Sequence, residues 1–148
     1  MNDVIIIIPT YNEFENIENI IRKIFLLQNN YHLLVIDDNS PDMTFKVVEK
    51  LISEFENKLF IKIREAKLGL GSAYVTGFKY ALKKGYKYII TMDADLSHNP
   101  NDISRLIKNT SHLCTGSRYI SGINVVNWPL ERIILSYMAS LYVRILLG

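Results

Sequence analysis

Cysteine is almost absent from this chain of 148 residues, where Cys114 is the only one. The chain therefore cannot form an internal disulfide or a zinc site built from cysteines, which favours a reducing, cytoplasmic compartment. The N-terminus lacks the basic and apolar regions of a signal peptide. Lysine and arginine form no run and the net charge is only +2, so no feature predicts a nucleic-acid partner.

Long hydrophobic runs are also missing, because no stretch reaches the roughly 18 uncharged apolar residues of a transmembrane helix. The nearest is residues 133–143, which Arg144 interrupts. The chain stops at Gly148, directly after this apolar segment, and we therefore expect a fragment or a truncated form of a longer protein.

The C-terminal segment itself predicts a long helix from about Pro129 onward, with apolar residues on more than one face. Two interpretations are open. It is a core helix whose other side meets a further part of the protein, or it is a helix lying at a membrane surface.

Hydrophobic residues make up 49% of the chain, which predicts one compact domain with a real core. Apolar runs predict strands that alternate with segments of helical spacing. This alternation predicts an α/β fold, a mostly parallel sheet with helices on both faces that binds ligands at the carboxyl ends of its strands. The expected strands cover residues 4–8, 33–36, 59–63, 88–92 and 112–115, and the expected helices cover 15–27, 45–55, 73–82 and a short helix capped by Asp102.

Three polar clusters follow buried strands directly. They are residues 9–13, 37–40 and 93–95. In a parallel sheet all three lie along one edge, and this convergence is a stronger signal than any one cluster.

The sharpest of these clusters is Asp93-Ala94-Asp95. Two carboxylates at this spacing after a strand can both reach one hard cation, and Mg²⁺ or Mn²⁺ usually shares its oxygen ligands with substrate phosphates. The alternative is a surface turn with both aspartates solvated. Its position after an apolar strand favours the metal.

Other candidates each have a structural alternative. Asp37 or Asp38 either contacts a nucleoside or caps a turn. Glu13 is a nucleoside contact or a first-turn acid favoured by the helix dipole. Tyr11 stacks on a base or is plain packing, and Arg118 binds a phosphate or is a surface arginine.

Rival classes fit less well. Gly69-Leu70-Gly71 does not continue to a glycine where a dinucleotide-binding loop needs one, since Tyr74 stands there. The chain lacks the Gly-Lys-Ser/Thr of a P-loop. A phosphoacceptor receiver domain needs its acid pair after the first strand, whereas here the pair follows the second.

Five segments of the sequence occur in a familiar order: residues 4–13, 35–42, 67–71, 92–98 and 116–119. Together they resemble the dolichol-phosphate (polyprenol-phosphate) mannosyltransferases, which are family-2-type glycosyltransferases with a Rossmann-like GT-A fold. The resemblance covers essentially the whole chain and implies a single nucleotide-sugar-binding domain over residues 1–148, without the C-terminal acceptor portion of the family.

The resemblance implies a role for ten positions. It implies that the nucleoside is held by Pro9, Tyr11, Glu13, Ile36 and Asp38. It implies that the diphosphate and a Mg²⁺ or Mn²⁺ ion are held by Met92, Asp93, Ala94 and Asp95, with Asp93 and Asp95 as metal ligands, while Arg118 contacts phosphate or the acceptor. Ser97 stands where some relatives carry glutamine.

The implied reaction moves a mannosyl unit from GDP-mannose to a polyprenyl phosphate with inversion, with Asp95 and Arg118 as catalytic residues. The alternatives are UDP-glucose or another nucleotide sugar as donor, or a truncated, non-catalytic nucleotide-binding protein. The resemblance also implies a peripheral position on the cytoplasmic face of a membrane, with a membrane subunit as a further candidate partner.

Overall fold

The computed structural model describes residues 3–27, 30–108, 112–116 and 129–147. The chain forms two compact units, residues 1–112 and 113–148, each described here by itself. The expectation of a single domain over residues 1–148 stays a prediction.

The first unit is built on a four-stranded parallel sheet, as the alternation of apolar runs predicts. Its strands are β1 (Val4–Thr10), β2 (His32–Asp37), β3 (Leu59–Ile63) and β4 (Tyr88–Thr91), in the order β3-β2-β1-β4. The register pairs Thr10 with Asp37 and Ile7 with Thr91. The carboxyl ends of β1, β2 and β4, and the polar clusters that follow them, therefore lie on one edge.

The two faces of the sheet are covered by different helices. Helices α1 (Ile17–Leu26) and α2 (Thr44–Ile52) pack on the side chains of Ile6, Ile8 and Val35. Helix α3 (Leu70–Lys84) packs on Ile5, Ile7 and Leu34. Successive residues of a strand point to opposite faces, so the continuous isoleucine run of β1 is buried on both sides, as expected.

After β4 come a one-turn 3₁₀ helix (Pro100–Asp102) and α4 (Ile103–Lys108). The expectation that Asp102 caps this segment is wrong. The cap is Asn99, whose side chain accepts a hydrogen bond from the Asn101 amide at 3.1 Å. Proline is favoured at the first position of a helix, so the helical segment begins at Pro100, and Asp102 lies inside it rather than at its cap.

The expected strand over residues 112–115 is also wrong, because residues 112–116 pair with no strand of the described sheet. All five are exposed. A short segment forms a strand through pairing and one-sided burial rather than through intrinsic preference, so its apolar residues were a weak signal.

In the second unit, α5 spans Leu130–Leu147, close to the expected start at Pro129. In the part of the chain that the structure describes, no helix has both the length and the apolarity to cross a bilayer.

Candidate functional site

The loops that follow β1 and β2 are joined by hydrogen bonds. The Asp38 amide donates to the Thr10 carbonyl at 3.1 Å, which continues the strand pairing beyond the sheet. The Asn12 amide then donates to Ser40 Oγ at 3.1 Å, and the Glu13 amide donates to Thr44 Oγ1 at 3.0 Å. Two of the predicted clusters are thus one structural unit.

Asp37 is the structural member of its acid pair. Its fully buried carboxylate accepts from Thr10 Oγ1 at 2.7 Å, from the Ser40 amide at 2.9 Å and from Ser40 Oγ at 2.7 Å. These bonds hold the end of β1 against the turn after β2. The interpretation of one aspartate as a turn residue is therefore correct for Asp37.

Asp38 is also buried, in an ion pair with Arg64 from the loop after β3. Its other oxygen accepts from the Leu68 amide at 3.0 Å. Arg64 in turn donates to Ser72 Oγ at 2.6 Å and to the Gly69 carbonyl at 3.0 Å. This network fixes the start of α3 beside the ends of β1 and β2.

Tyr11 and Glu13 remain accessible on this edge. Lys67 Nζ lies 4.1 Å from the centre of the Tyr11 ring, a cation–π contact that brings the loop after β3 over the loop after β1. The Glu13 carboxylate accepts from Asn16 Nδ2 at 3.0 Å. Both side chains are partly exposed and close to the buried Asp37–Asp38 network.

Asp42 connects the turn after β2 to the loop after β1 and to the start of α2. Its oxygens accept from the Phe14 amide at 3.0 Å and from the amide and hydroxyl of Thr44 at 2.9 and 2.6 Å. Burial by itself raises the pKa of Asp42, but the bonds from Thr44 and Phe14 outweigh it and lower the pKa below 3.8. Asp42, one residue before the N-cap Met43, thus stays ionised and holds the first amide of α2.

The loop after β4 presents Asp93 between two side chains. Tyr74 Oη donates to Asp93 Oδ1 at 3.1 Å, and His98 Nδ1 accepts from the Asp93 amide at 3.2 Å. His98 Nε2 lies 3.9 Å from Asp93 Oδ2. Burial, together with the charge and hydrogen bond of Asp93, raises the pKa of Tyr74 well above its ordinary value, so Tyr74 remains a neutral donor.

Asp95 is exposed at the tip of this loop. Its Oδ1 accepts from the Ser97 amide at 2.9 Å, and Leu96 between them has a φ of 62°, in the left-handed region. A positive φ is uncommon for a leucine, so the hydrogen-bonded turn after Asp95 is a specific local conformation of this loop. Across residues 3–27, 30–108, 112–116 and 129–147, no three acidic, histidine or cysteine side chains converge on one metal position.

The remaining predicted residues fall into two groups. The side chains of Ile36, Met92 and Ala94 are buried in the core, so only their backbone is available to a ligand. Pro9 is partly exposed at the end of β1. Arg118 lies outside the described residues.

The sequence reasoning missed Arg64, Tyr74 and His98. Arg64 and Tyr74 are 26 and 19 residues from the aspartates that they contact, so no local spacing could have indicated them. His98 had a local signal, because it stands only five residues after Asp93.

The comparison with protein families agrees with this geometry. The model of glycosyl transferase family 2 matches residues 5–145, which include every loop of the candidate site. The chain belongs to glycosyl transferase family 2. The four-stranded parallel sheet with helices on both faces is the corresponding part of the GT-A fold.

Two curated relatives match nearly the full length of this chain. It is 42% identical to the polyprenol monophosphomannose synthase of Mycolicibacterium smegmatis, over 97% of this chain and 56% of the relative. It is 40% identical to the undecaprenyl-phosphate mannosyltransferase of Micrococcus luteus, over 98% of this chain and 60% of the relative. The chain therefore spans somewhat more than half the length of these relatives.

Among solved structures, the chain resembles the mannosyltransferase PcManGT of Pyrobaculum calidifontis, determined in complex with GDP-Man and Mn²⁺. The two share 24% identity with a TM-score of 0.50, over 53% of this chain and 24% of the other. This likeness concerns the fold.

Proposed function

We propose that this chain carries the nucleotide-sugar site of a transferase that moves a mannosyl unit from GDP-mannose to a polyprenyl phosphate. The proposal is supported by the two relatives, whose names give a mannosyl transfer to a polyprenyl phosphate. Because the chain covers 56% and 60% of their lengths, activity, donor and acceptor are properties that the whole protein must be tested for.

The observation that carries the proposal is the meeting of four strand-end loops at one edge. Cross-loop hydrogen bonds join the loops after β1, β2 and β3, through Asn12 to Ser40 and Leu68 to Asp38. Strand β4 pairs with β1, so the loop carrying Asp93 opens on the same edge. Parallel α/β sheets bind their ligands at this position.

In this proposal the nucleoside lies against the loops after β1 and β2. The Tyr11 ring offers a face for stacking, and the Glu13 carboxylate can accept from a base or a ribose hydroxyl. Asp38 is buried with Arg64, so it acts mainly by fixing the floor of this subsite, and Pro9 and Ile36 contribute backbone.

The diphosphate and a divalent cation then lie at the loop after β4, with Asp93 and Asp95 as the carboxylate ligands and the Met92 and Ala94 backbone beside them. The donor set fits the ion: two carboxylates belong to one loop, and one of them, Asp95, is exposed. Mg²⁺ and Mn²⁺ usually take their remaining ligands from water and substrate phosphates, so two protein carboxylates are enough. Arg118 is proposed as a further phosphate contact.

The residues at this edge are suited to positioning rather than to proton transfer. In the proposed reaction an acceptor phosphate oxygen forms a bond to the anomeric carbon as the bond to GDP breaks, with inversion. The attacking oxygen is already anionic near neutral pH, so a strong general base is not needed. Alignment of the reactants supplies most of the rate enhancement, and a bound divalent cation neutralises charge on the departing diphosphate.

Calorimetric titration of GDP into the protein, with and without Mn²⁺, tests the proposal. We expect GDP binding that strengthens with Mn²⁺, and we expect Asp95→Ala to remove the Mn²⁺ dependence. Glu49→Ala, an exposed acid on α2, is the matched control and should bind as the unmodified chain does. If UDP bound as tightly as GDP, the donor assignment would be wrong, and if neither nucleotide bound, the transferase site itself would be rejected.

A further inference from the structure

The outer face of α3 has an unusual distribution of side-chain size. The residues that α3 buries against the sheet are small: Ala73, Gly77 and Ala81. A Cβ added at Gly77 would lie 2.6 Å from Ile7 Cγ2, so the helix sits as close to β1 as its backbone allows. Apart from Tyr74 and Tyr80, which pack partly buried against the same core cluster, the large apolar residues of α3 are exposed on the other side.

Three of these apolar residues form one exposed stripe. Val75, Phe78 and Leu82 are 50%, 38% and 70% exposed and stand at positions i, i+3 and i+7 of the helix. This spacing places them on a single face. An exposed apolar stripe of this kind is typical of an interaction surface.

The charges beside the stripe indicate the chemistry of that partner. Lys79 and Lys83 are exposed along one side of it, and residues 70–84 contain no acidic side chain. Lysines can bury their methylene stems on an apolar surface and extend the ammonium group to anionic headgroups. An apolar stripe edged by lysines is the pattern of a helix lying in the interface of an anionic membrane.

The position of α3 fits this partner. Its first turn begins beside Asp38, whose carboxylate accepts from the Leu68 amide. Leu68 and Leu70 are also exposed at this end of the helix. If the outer face of α3 lies on a bilayer, this end of the helix brings the candidate site near the lipid headgroups.

We propose that the outer face of α3, formed by Val75, Phe78, Lys79, Leu82 and Lys83, docks the protein on an anionic membrane surface. The membrane surface would determine the side from which the lipid acceptor of the proposed reaction approaches. In this respect the inference rests on the proposed function. The binding itself is a separate physical property. It can be measured without any nucleotide or isoprenoid.

Flotation with vesicles made of equal parts phosphatidylglycerol and phosphatidylcholine tests it. We expect the unmodified chain to float, and Leu82→Ser to weaken partitioning by about tenfold, because a leucine side chain leaves the interface. The matched control is Leu26→Ser. Leu26 is 75% exposed on α1, on the opposite face of the sheet, and its loss should leave binding unchanged.

Reversing the charge of two exposed lysines provides a second test, which leaves the apolar packing of α3 unchanged. Lys79→Glu with Lys83→Glu should weaken binding to the anionic vesicles by more than about 25-fold, since each lysine near such a surface contributes about fivefold. Lys46→Glu with Lys50→Glu, on α2, is the control and should have little effect. Far-ultraviolet circular dichroism confirms that each variant is folded.

Several outcomes would overturn the inference. These are wild-type flotation of both α3 variants, equal loss in the matched controls, or loss caused only by changes in α5, such as Tyr142→Ser. A dimer in sedimentation that Leu82→Ser dissociates, without a change in flotation, would assign the stripe to a second copy. GDP binding measured on the same samples reports on the proposed function separately, since Lys79, Leu82 and Lys83 lie outside that site.

Discussion

Two regions of the candidate site are built differently. At the ends of β1, β2 and β3, the loops bond to one another across the chain, and Asp37, Asp38 and Arg64 are buried. After β4, the bond from the Ser97 amide to Asp95 is local to its loop, and Asp93 and Asp95 reach solvent. The loops after β1, β2 and β3 thus form a buried, hydrogen-bonded base of the site, the preformed floor, whereas the loop after β4 is an accessible acidic turn.

This difference has a functional meaning under the proposed activity. A nucleoside needs a surface whose shape is set before binding, because every side chain that must be ordered reduces affinity. A metal-bound diphosphate brings its own charge and ligands, so the acidic turn can remain hydrated until the donor arrives. The comparison predicts that substitutions in the first region mainly lower stability, whereas those in the second mainly lower ligand binding.

Arg64→Ala gives the largest expected effect. Removing one partner of a buried ion pair leaves the Asp38 charge without its counter-ion, and we expect a loss of about 3–5 kcal/mol in the free energy of unfolding. Urea denaturation followed by circular dichroism measures it. The matched control is Arg22→Ala, whose ion pairs with Glu18 and Glu54 are on the surface, and its denaturation midpoint should move little. Equal midpoints for the two variants would show that the first region is not the rigid one.

The contrast between Arg64 and Asp93 also shows what the sequence could and could not predict. The buried strands and the acidic turn were predictable, because the isoleucine run of β1 and the Asp-x-Asp spacing are local patterns. The Arg64–Asp38 pair was not, since it depends on how the loop after β3 folds back. Residues 112–115 show the opposite case, an apolar pattern that found no strand partner in the described sheet.

Asp42→Ala should have an intermediate effect of about 1–2 kcal/mol, because it removes the carboxylate at the start of α2, which accepts from the Phe14 and Thr44 amides. Because the folded protein lowers the pKa of Asp42 below 3.8, this stability is present above that pH and is lost as the pH falls through the folded value. The difference in unfolding free energy between the variant and the unmodified chain should therefore shrink in acid. Asp102→Ala, which removes an exposed pair with Arg105, is the control. A difference that did not shrink at all as the pH fell below the ordinary carboxyl value of about 3.9 would contradict the assignment.

Asp95→Ala should have the smallest effect on stability, within about 0.5 kcal/mol, because the side chain is exposed. Thermal unfolding without metal measures this. The same variant should lose its response to Mn²⁺ when GDP is present. A large drop in stability instead would place Asp95 in the preformed floor and remove the contrast.

Amide hydrogen exchange, with and without GDP and Mn²⁺, compares the two regions in one experiment. We expect slow exchange at Asn12, Glu13 and Leu68 before ligand is added, because their amides donate across loops. Residues 93–97, whose Asp93 and Ser97 amides donate only within their own loop, should exchange faster than these three amides and slow by at least about tenfold with ligand. Protection that appeared away from both regions, or no change at residues 93–97, would contradict the claim that this edge of the sheet binds a metal-bound sugar nucleotide.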